Sequence, residues 1–176
     1  MKPRALTRLF PSMVADYSHA LLARLQIHIL LRLTPLPASA RILLLSPTEA
    51  IHVPLVEYLP QADIHWHPLH SSTQDIPLPA HQFDAILVLA ALYANSNWRT
   101  ILTEAPRLLR HGGLLYIGTC HTKSLTRAAL RGHLAHHGFA PLSTWPAAAT
   151  HRLAKWLANA VTLSVFRLNI TQPEYD

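Results

Sequence analysis

Glycine is scarce in this chain: five in 176 residues, against fourteen prolines. Loops that bring a nucleotide close to the backbone usually spend several glycines, so such a cradle has little to be built from. Cysteine is scarcer still. Cys120 stands alone, which excludes an intramolecular disulfide and a cysteine-based zinc centre. A lone cysteine fits a reducing compartment, and a cytoplasmic location is the expectation. Long apolar runs are also missing. The most apolar early stretch, 27–33, contains His28 and Arg32 and falls well short of the roughly 20 residues that cross a bilayer.

Half of the chain is nevertheless apolar and only 14% is charged. That supplies a core and argues against disorder, and the length fits one domain. The formal charge is +6 and unevenly spread: between Arg99 and Arg167 there are nine Lys or Arg and one acid, Glu104. Such an imbalance invites an acidic surface or nucleic acid. The first 48 residues hold six basic residues and one acid, Asp16. A transit peptide or a surface-lying helix is an alternative reading of that start.

Periodicity gives the order of elements. Val14, Leu21, Leu22, Leu25 and Ile29 recur at helical spacing, so 5–33 reads as helix and 34–39 as a linker. A division follows: a helical segment over 1–37 and a domain over 38–176. The continuous apolar run 41–46 suits a strand buried on both faces. Thr48 is placed to cap a helix reaching about Leu59. A strand over 63–69, a polar loop over 70–82 and a buried strand from Phe83 come next. A helix over 98–110 shows Ile101, Leu102, Ala105, Leu108 and Leu109 on one face, and Gly112 with Gly113 reads as its stop. A strand over 114–119, a helix over 124–137 and strands over 139–144 and 161–168 complete the alternation. The connection 147–159 is partly helical. Strands alternating with helices predict a parallel sheet covered on both faces.

Two segments carry a resemblance. Ile76-Pro-Leu-Pro-Ala-His-Gln-Phe-Asp-Ala-Ile-Leu-Val is similar to an "LPF…FD" segment, and Glu104-Ala-Pro-Arg-Leu-Leu-Arg-His-Gly-Gly-Leu-Leu-Tyr-Ile-Gly to an "E-x-x-R-v-L-k-p-G-G-x-l-x-i" segment. Their spacing, and the helix ending in Gly138 and Phe139, also fit. Together they resemble the class I S-adenosylmethionine-dependent methyltransferases, the type 11 group. The resemblance implies a Rossmann-like α/β sheet, mostly parallel with an antiparallel last strand. It implies a structural place for Asp84 and Glu104.

It also implies a cofactor loop that this sequence lacks. The family's first strand runs into a G-x-G-x-G turn. Here the turn is Leu45, Ser46, Pro47, Thr48, Glu49 and Ala50, with no glycine. The ribose-binding acid is missing after Trp66 and His67, where Pro68 stands. The acid that meets the adenine amine falls on Ser72. The pocket positions are therefore Leu45, Ser46, Pro47, Thr48, Ser72 and Leu89. One βα unit is shortened or missing, since 63–83 leaves room for a strand and a loop only. Losing the loop and two carboxylate contacts costs about 4 to 6 kcal/mol, three to four decades in affinity. The expectation is a non-catalytic relative with no cofactor, acting as a partner or scaffold subunit, for example beside an active enzyme. The alternatives are an active methyltransferase on a small molecule or acidic carrier, using S-adenosylmethionine, and a basic nucleic-acid-binding module.

Other sets are weighed against plainer readings. Lys123, Arg127 and Arg131 recur every four residues and form a basic stripe on a helix, either a partner contact or a solvated face. His65, His67 and His70, and His133, His136 and His137, have ligand-like spacings. No acid accompanies either set as a catalytic zinc site expects, so no metal is assigned. Cys120 with His121 follows a strand at the rim of the sheet, where a small buried thiol is the default.

Overall fold

The computed structural model describes residues 24, 26–46, 49–69, 76–89, 98–119, 126–145 and 162–169. A helix, α1 (26–33), precedes strand β1 (Arg41–Ser46). A 3-10 turn (Glu49–Ile51) leads into α2 (His52–Tyr58) and β2 (Asp63–Pro68). Then come β3 (Phe83–Leu89), α3 (Trp98–Leu108), β4 (Leu109–Thr119), α4 (Arg127–His136), β5 (Phe139–Trp145) and β6 (Thr162–Leu168).

The six strands form one sheet in the order β2-β1-β3-β4-β6-β5. β2, β1, β3 and β4 are parallel; β6 runs antiparallel to both β4 and β5. This is the expected α/β architecture, with the antiparallel strand last in chain order. β2 stands at the edge, and the described residues between it and β3 hold neither helix nor strand. The narrowed sheet matches the expectation of a shortened βα unit.

Strand alternation divides the core. On one face Leu43, Leu45, Ile86, Val88, Leu115 and Ile117 pack under Trp98, Ile101, Leu102, Leu108, Leu130 and Leu134 of α3 and α4. On the other, Ile42, Leu44, Ala85, Leu87, Leu89 and Tyr116 pack against Ile27 and Leu30 of α1 and Ile51 and Leu55 around α2. Each large side chain removed from water this way contributes roughly 1.5–3 kcal/mol before entropy is counted. Helix α1 is pinned further by Tyr116, whose hydroxyl donates to the Thr34 carbonyl at 2.7 Å.

Three boundaries differ from the sequence reading. Helix α3 ends at Leu108 and β4 begins at once, so Gly112 and Gly113 lie inside the strand. Phe83 pairs with Leu109 but Ala85 with Leu114, so the glycines sit in a bulge. Gly112 adopts φ +73°, and a Cβ on Gly113 would fall 2.8 Å from the Arg110 carbonyl oxygen. Helix α4 starts at Arg127, later than expected. Thr126 supplies the cap, its hydroxyl accepting from the Ala129 amide at 3.1 Å. The helix after β1 opens as a 3-10 turn and becomes α-helical only at His52. The segments 5–23 and 147–159, read as helical, lie outside the described residues.

Candidate functional site

In an open parallel sheet, ligands sit beyond the carboxyl ends of the strands. Here those ends are Ser46 on β1, Pro68 on β2, Leu89 on β3 and Gly118 and Thr119 on β4. Ser46 is fully buried. Its hydroxyl accepts a hydrogen bond from Trp66 Nε1 at 3.1 Å. In register Trp66 lies opposite Leu44 and Pro68 opposite Ser46, so the indole leans toward the tip. The Leu69 amide donates to the Ser46 carbonyl at 3.1 Å, closing the β1–β2 junction from the backbone side.

The expected pocket residues are thus partly accounted for. Leu45 and Ser46 point to opposite faces of β1, and both are buried. Leu89 is buried at the end of β3. Pro47, Thr48 and Ser72 lie outside the described residues. Beside this tip, Gly118 lets α1 come close: a Cβ there would fall 2.8 Å from Gln26 Oε1 and 3.2 Å from Leu89 Cδ2. Helix α1 therefore reaches the carboxyl end of β4. The role of Trp66 was not assigned from sequence; only the parallel register, joining residues twenty apart, brings it to Ser46.

The residues that carried the resemblance have structural work. Arg107 Nη2 and Nε donate to Glu104 Oε2 at 2.6 and 2.9 Å. Nη1 donates to the Leu78 carbonyl at 2.7 Å and Nη2 to the Ile76 carbonyl at 2.9 Å. The E-x-x-R pair is a clamp that fastens the Leu-Pro segment to α3. His81 extends the seam: its Nδ1–H donates to the Leu109 carbonyl at 2.9 Å, and its amide to the Arg107 carbonyl at 2.8 Å. Asp84 accepts from the Arg41 amide and from Arg110 Nη1, both at 2.8 Å, tying β3 to β1 and to the bulge.

The basic stripe is only partly described. Arg131 is exposed on α4 and Arg127 begins that helix, while Lys123 lies outside the described residues. Among the histidines, His65 does have an acid beside it. Asp63 lies 3.2 Å from His65 Nε2 and 3.2 Å from Arg41 Nε, which corrects the expectation that no carboxylate accompanies that set. His70, Cys120 and His121 lie outside the described residues. Among the described residues no group of three or more His, Cys, Asp or Glu side chains is placed to hold a metal ion, and no helix is long and apolar enough to cross a membrane.

An open pocket of about 310 Å³ lies between α1 and α2, lined by His28, Leu31, Arg32, Pro35, Leu36, Tyr58 and Leu59. These segments feed the amino ends of β1 and β2, so the pocket is at the opposite end of the sheet from the strand tips.

Residues 49–117 match the methyltransferase-domain family. No curated protein matches the sequence. Solved structures with the same fold include the CurJ carbon methyltransferase, with TM-score 0.62 and 14% identity over 82% of this chain and 54% of that one. The chain thus spans about half the length of that relative. Another is the complex between the Haloferax volcanii Trm112 methyltransferase activator and a methyltransferase, with TM-score 0.64 and 12% identity over 94% of this chain and 97% of that one. A third is an S-adenosylmethionine-dependent methyltransferase from Thermotoga maritima, with TM-score 0.58 and 15% identity over 93% of this chain and all of that one. At these identities the likeness is one of fold. The chain therefore has the class I S-adenosylmethionine-dependent methyltransferase fold, and residues 49–117 carry its methyltransferase-domain signature.

Proposed function

We propose that this chain is a methyltransferase-fold subunit that does not hold S-adenosylmethionine in the ordinary way and works as a non-catalytic partner of another protein. One observation carries this reading: the β1 tip is closed by the bond from Trp66 to the buried Ser46 hydroxyl. A cofactor resting on that tip needs open backbone and a carboxylate at the end of β2. The chain offers a buried serine, an indole and Pro68. These groups do not fit the cofactor, and no chemical step is routed through it. In this reading residues 1–37 form a helical segment appended to a methyltransferase-like domain over 38–176. Exposed Arg131, with Arg127 and Lys123, supplies part of the partner face. The Haloferax volcanii complex supports a partnered life for the fold, since its methyltransferase is bound to an activator.

Calorimetric titration of the full chain with S-adenosylmethionine and S-adenosylhomocysteine tests the reading. Absence of heat up to millimolar ligand is the expected result; micromolar binding overturns it. The family match over 49–117 favours one second reading, an active S-adenosylmethionine-dependent methyltransferase on a small molecule or acidic carrier. Micromolar binding would move the search to that substrate.

A further inference from the structure

On α4, His133 and His137 stand one helical turn apart, with ring centroids separated by 4.6 Å and ring planes at 61°. Both Nε2 atoms face the same atom on another helix. Thr103 Oγ1 of α3 lies 3.4 Å from His133 Nε2 and 3.5 Å from His137 Nε2. The hydroxyl proton of Thr103 is already committed, because it donates to the Arg99 carbonyl at 2.9 Å. The oxygen therefore shows lone pairs to the two imidazoles. Contacts of 3.4–3.5 Å are at the long end for hydrogen bonds. Two nitrogens and one oxygen thus border a shared gap on partly exposed surface.

The surroundings define what the gap accepts. The Trp98 ring backs His133 edge-on at 5.4 Å, and the His136 ring meets His137 at 5.3 Å. Among the described residues, the charged groups facing the cluster are Arg99 and, when protonated, His136. The Arg99 guanidinium is occupied over the Trp98 ring at 4.6 Å. Imidazole nitrogens without a carboxylate suit borderline transition ions and offer little to magnesium or calcium. A pair of histidines at i and i+4 presents both nitrogens on one helical face.

We propose that His133 and His137 form a two-nitrogen chelate for Cu²⁺ or Zn²⁺, with Thr103 Oγ and water as weaker ligands. The pair grips from one rigid helix, so little ordering is lost on binding. Cu²⁺ should bind more tightly than Zn²⁺, following the usual order for nitrogen ligands.

Calorimetric titration of the full chain with CuCl₂ and with ZnCl₂ at neutral pH tests this. The chain holds thirteen histidines, so the readout is the difference between variants. The parent should show a site that weakens at least tenfold in His133→Ala and in His137→Ala and persists in His136→Ala. A Cu²⁺-induced rise in melting temperature should be lost in the same two variants and kept in the third. Metal-free melting curves establish that each variant is folded; should one not be, the Asn replacement takes its place. Electron paramagnetic resonance of the parent with one equivalent of Cu²⁺ should report at least two coordinated nitrogens. Unchanged affinity in the His133→Ala, His137→Ala double variant, or no uptake by the parent at millimolar ion, overturns the proposal.

Discussion

Trp66 gives its indole N–H to the hydroxyl of Ser46 at 3.1 Å, across the junction where β1 and β2 end. The two are not register partners; Trp66 lies opposite Leu44. The bond satisfies a buried serine and closes the strand tip at once. Replacing Trp66 by Phe keeps most of the ring but removes the hydrogen bond that the indole gives to that hydroxyl. The expected cost is about 1 to 2 kcal/mol, read as a lower midpoint in urea unfolding. An unchanged midpoint would mean that the bond contributes nothing.

The Arg107 clamp makes a sharper prediction. One guanidinium serves Glu104 and the carbonyls of Ile76 and Leu78. Lysine has the charge but not the planar fork. Arg107→Lys should therefore lose most of what Arg107→Ala loses, about 2 to 3 kcal/mol. Amide exchange should quicken over the segment 76–82, whose Gln82 and His81 amides bond to the end of α3. If lysine restores full stability, charge alone holds the segment.

Tyr116 sets an alkaline limit. Burial pushes its pKa upward, so the folded chain keeps the proton after the unfolded chain has lost it near pH 10. Above that pH the unfolded state binds fewer protons, and stability falls as pH rises. The loss approaches about 1.4 kcal/mol per pH unit until the folded tyrosine itself ionises. Tyr116→Phe should remove this slope while costing about 1 kcal/mol at pH 7 through the lost bond to Thr34. Denaturant melts between pH 9 and 11 provide the check.

His133 acts at the acid end. Its pKa is lowered, first by burial and then by His137. As pH falls below the ordinary histidine value the unfolded chain takes up a proton that the folded chain resists. Stability should decline through that range and decline less in His133→Gln, as melting curves between pH 7 and 5 would record.

Two glycines should respond unequally to alanine. At Gly113 the obstacle is the Arg110 backbone oxygen at 2.8 Å, which cannot step aside. At Gly118 the nearest atom is the far end of the Gln26 side chain, also at 2.8 Å. Gly113→Ala should cost about 2 to 3 kcal/mol and Gly118→Ala less, by thermal unfolding.

The central strands were legible because a strand buried on both faces must be apolar throughout, as 42–45, 85–89 and 114–117 are. The glycine pair was misleading for a physical reason. After a helix it reads as a stop, yet the chain turned straight into β4 and used the pair for a bulge. Helix α4 begins behind a Thr126 cap rather than at 124. Trp66 with Ser46, and Thr103 with the two histidines, were invisible for another reason. Each depends on elements far apart in sequence coming into register, and no local pattern encodes that.

The position of β6 has a consequence for how the chain is made. Of the six strands it is the last to leave the ribosome, yet it lies inside the sheet, between β4 and β5. Until it arrives, β4 has a bare edge and β5 has no hydrogen-bonded neighbour. The nascent chain therefore carries an open, apolar strand edge from the completion of β4 at Thr119 until β6 is made from Thr162 onward, a state prone to wrong pairing. The interval between the emergence of β4 and of β6 is when the nascent chain is most open to mispairing.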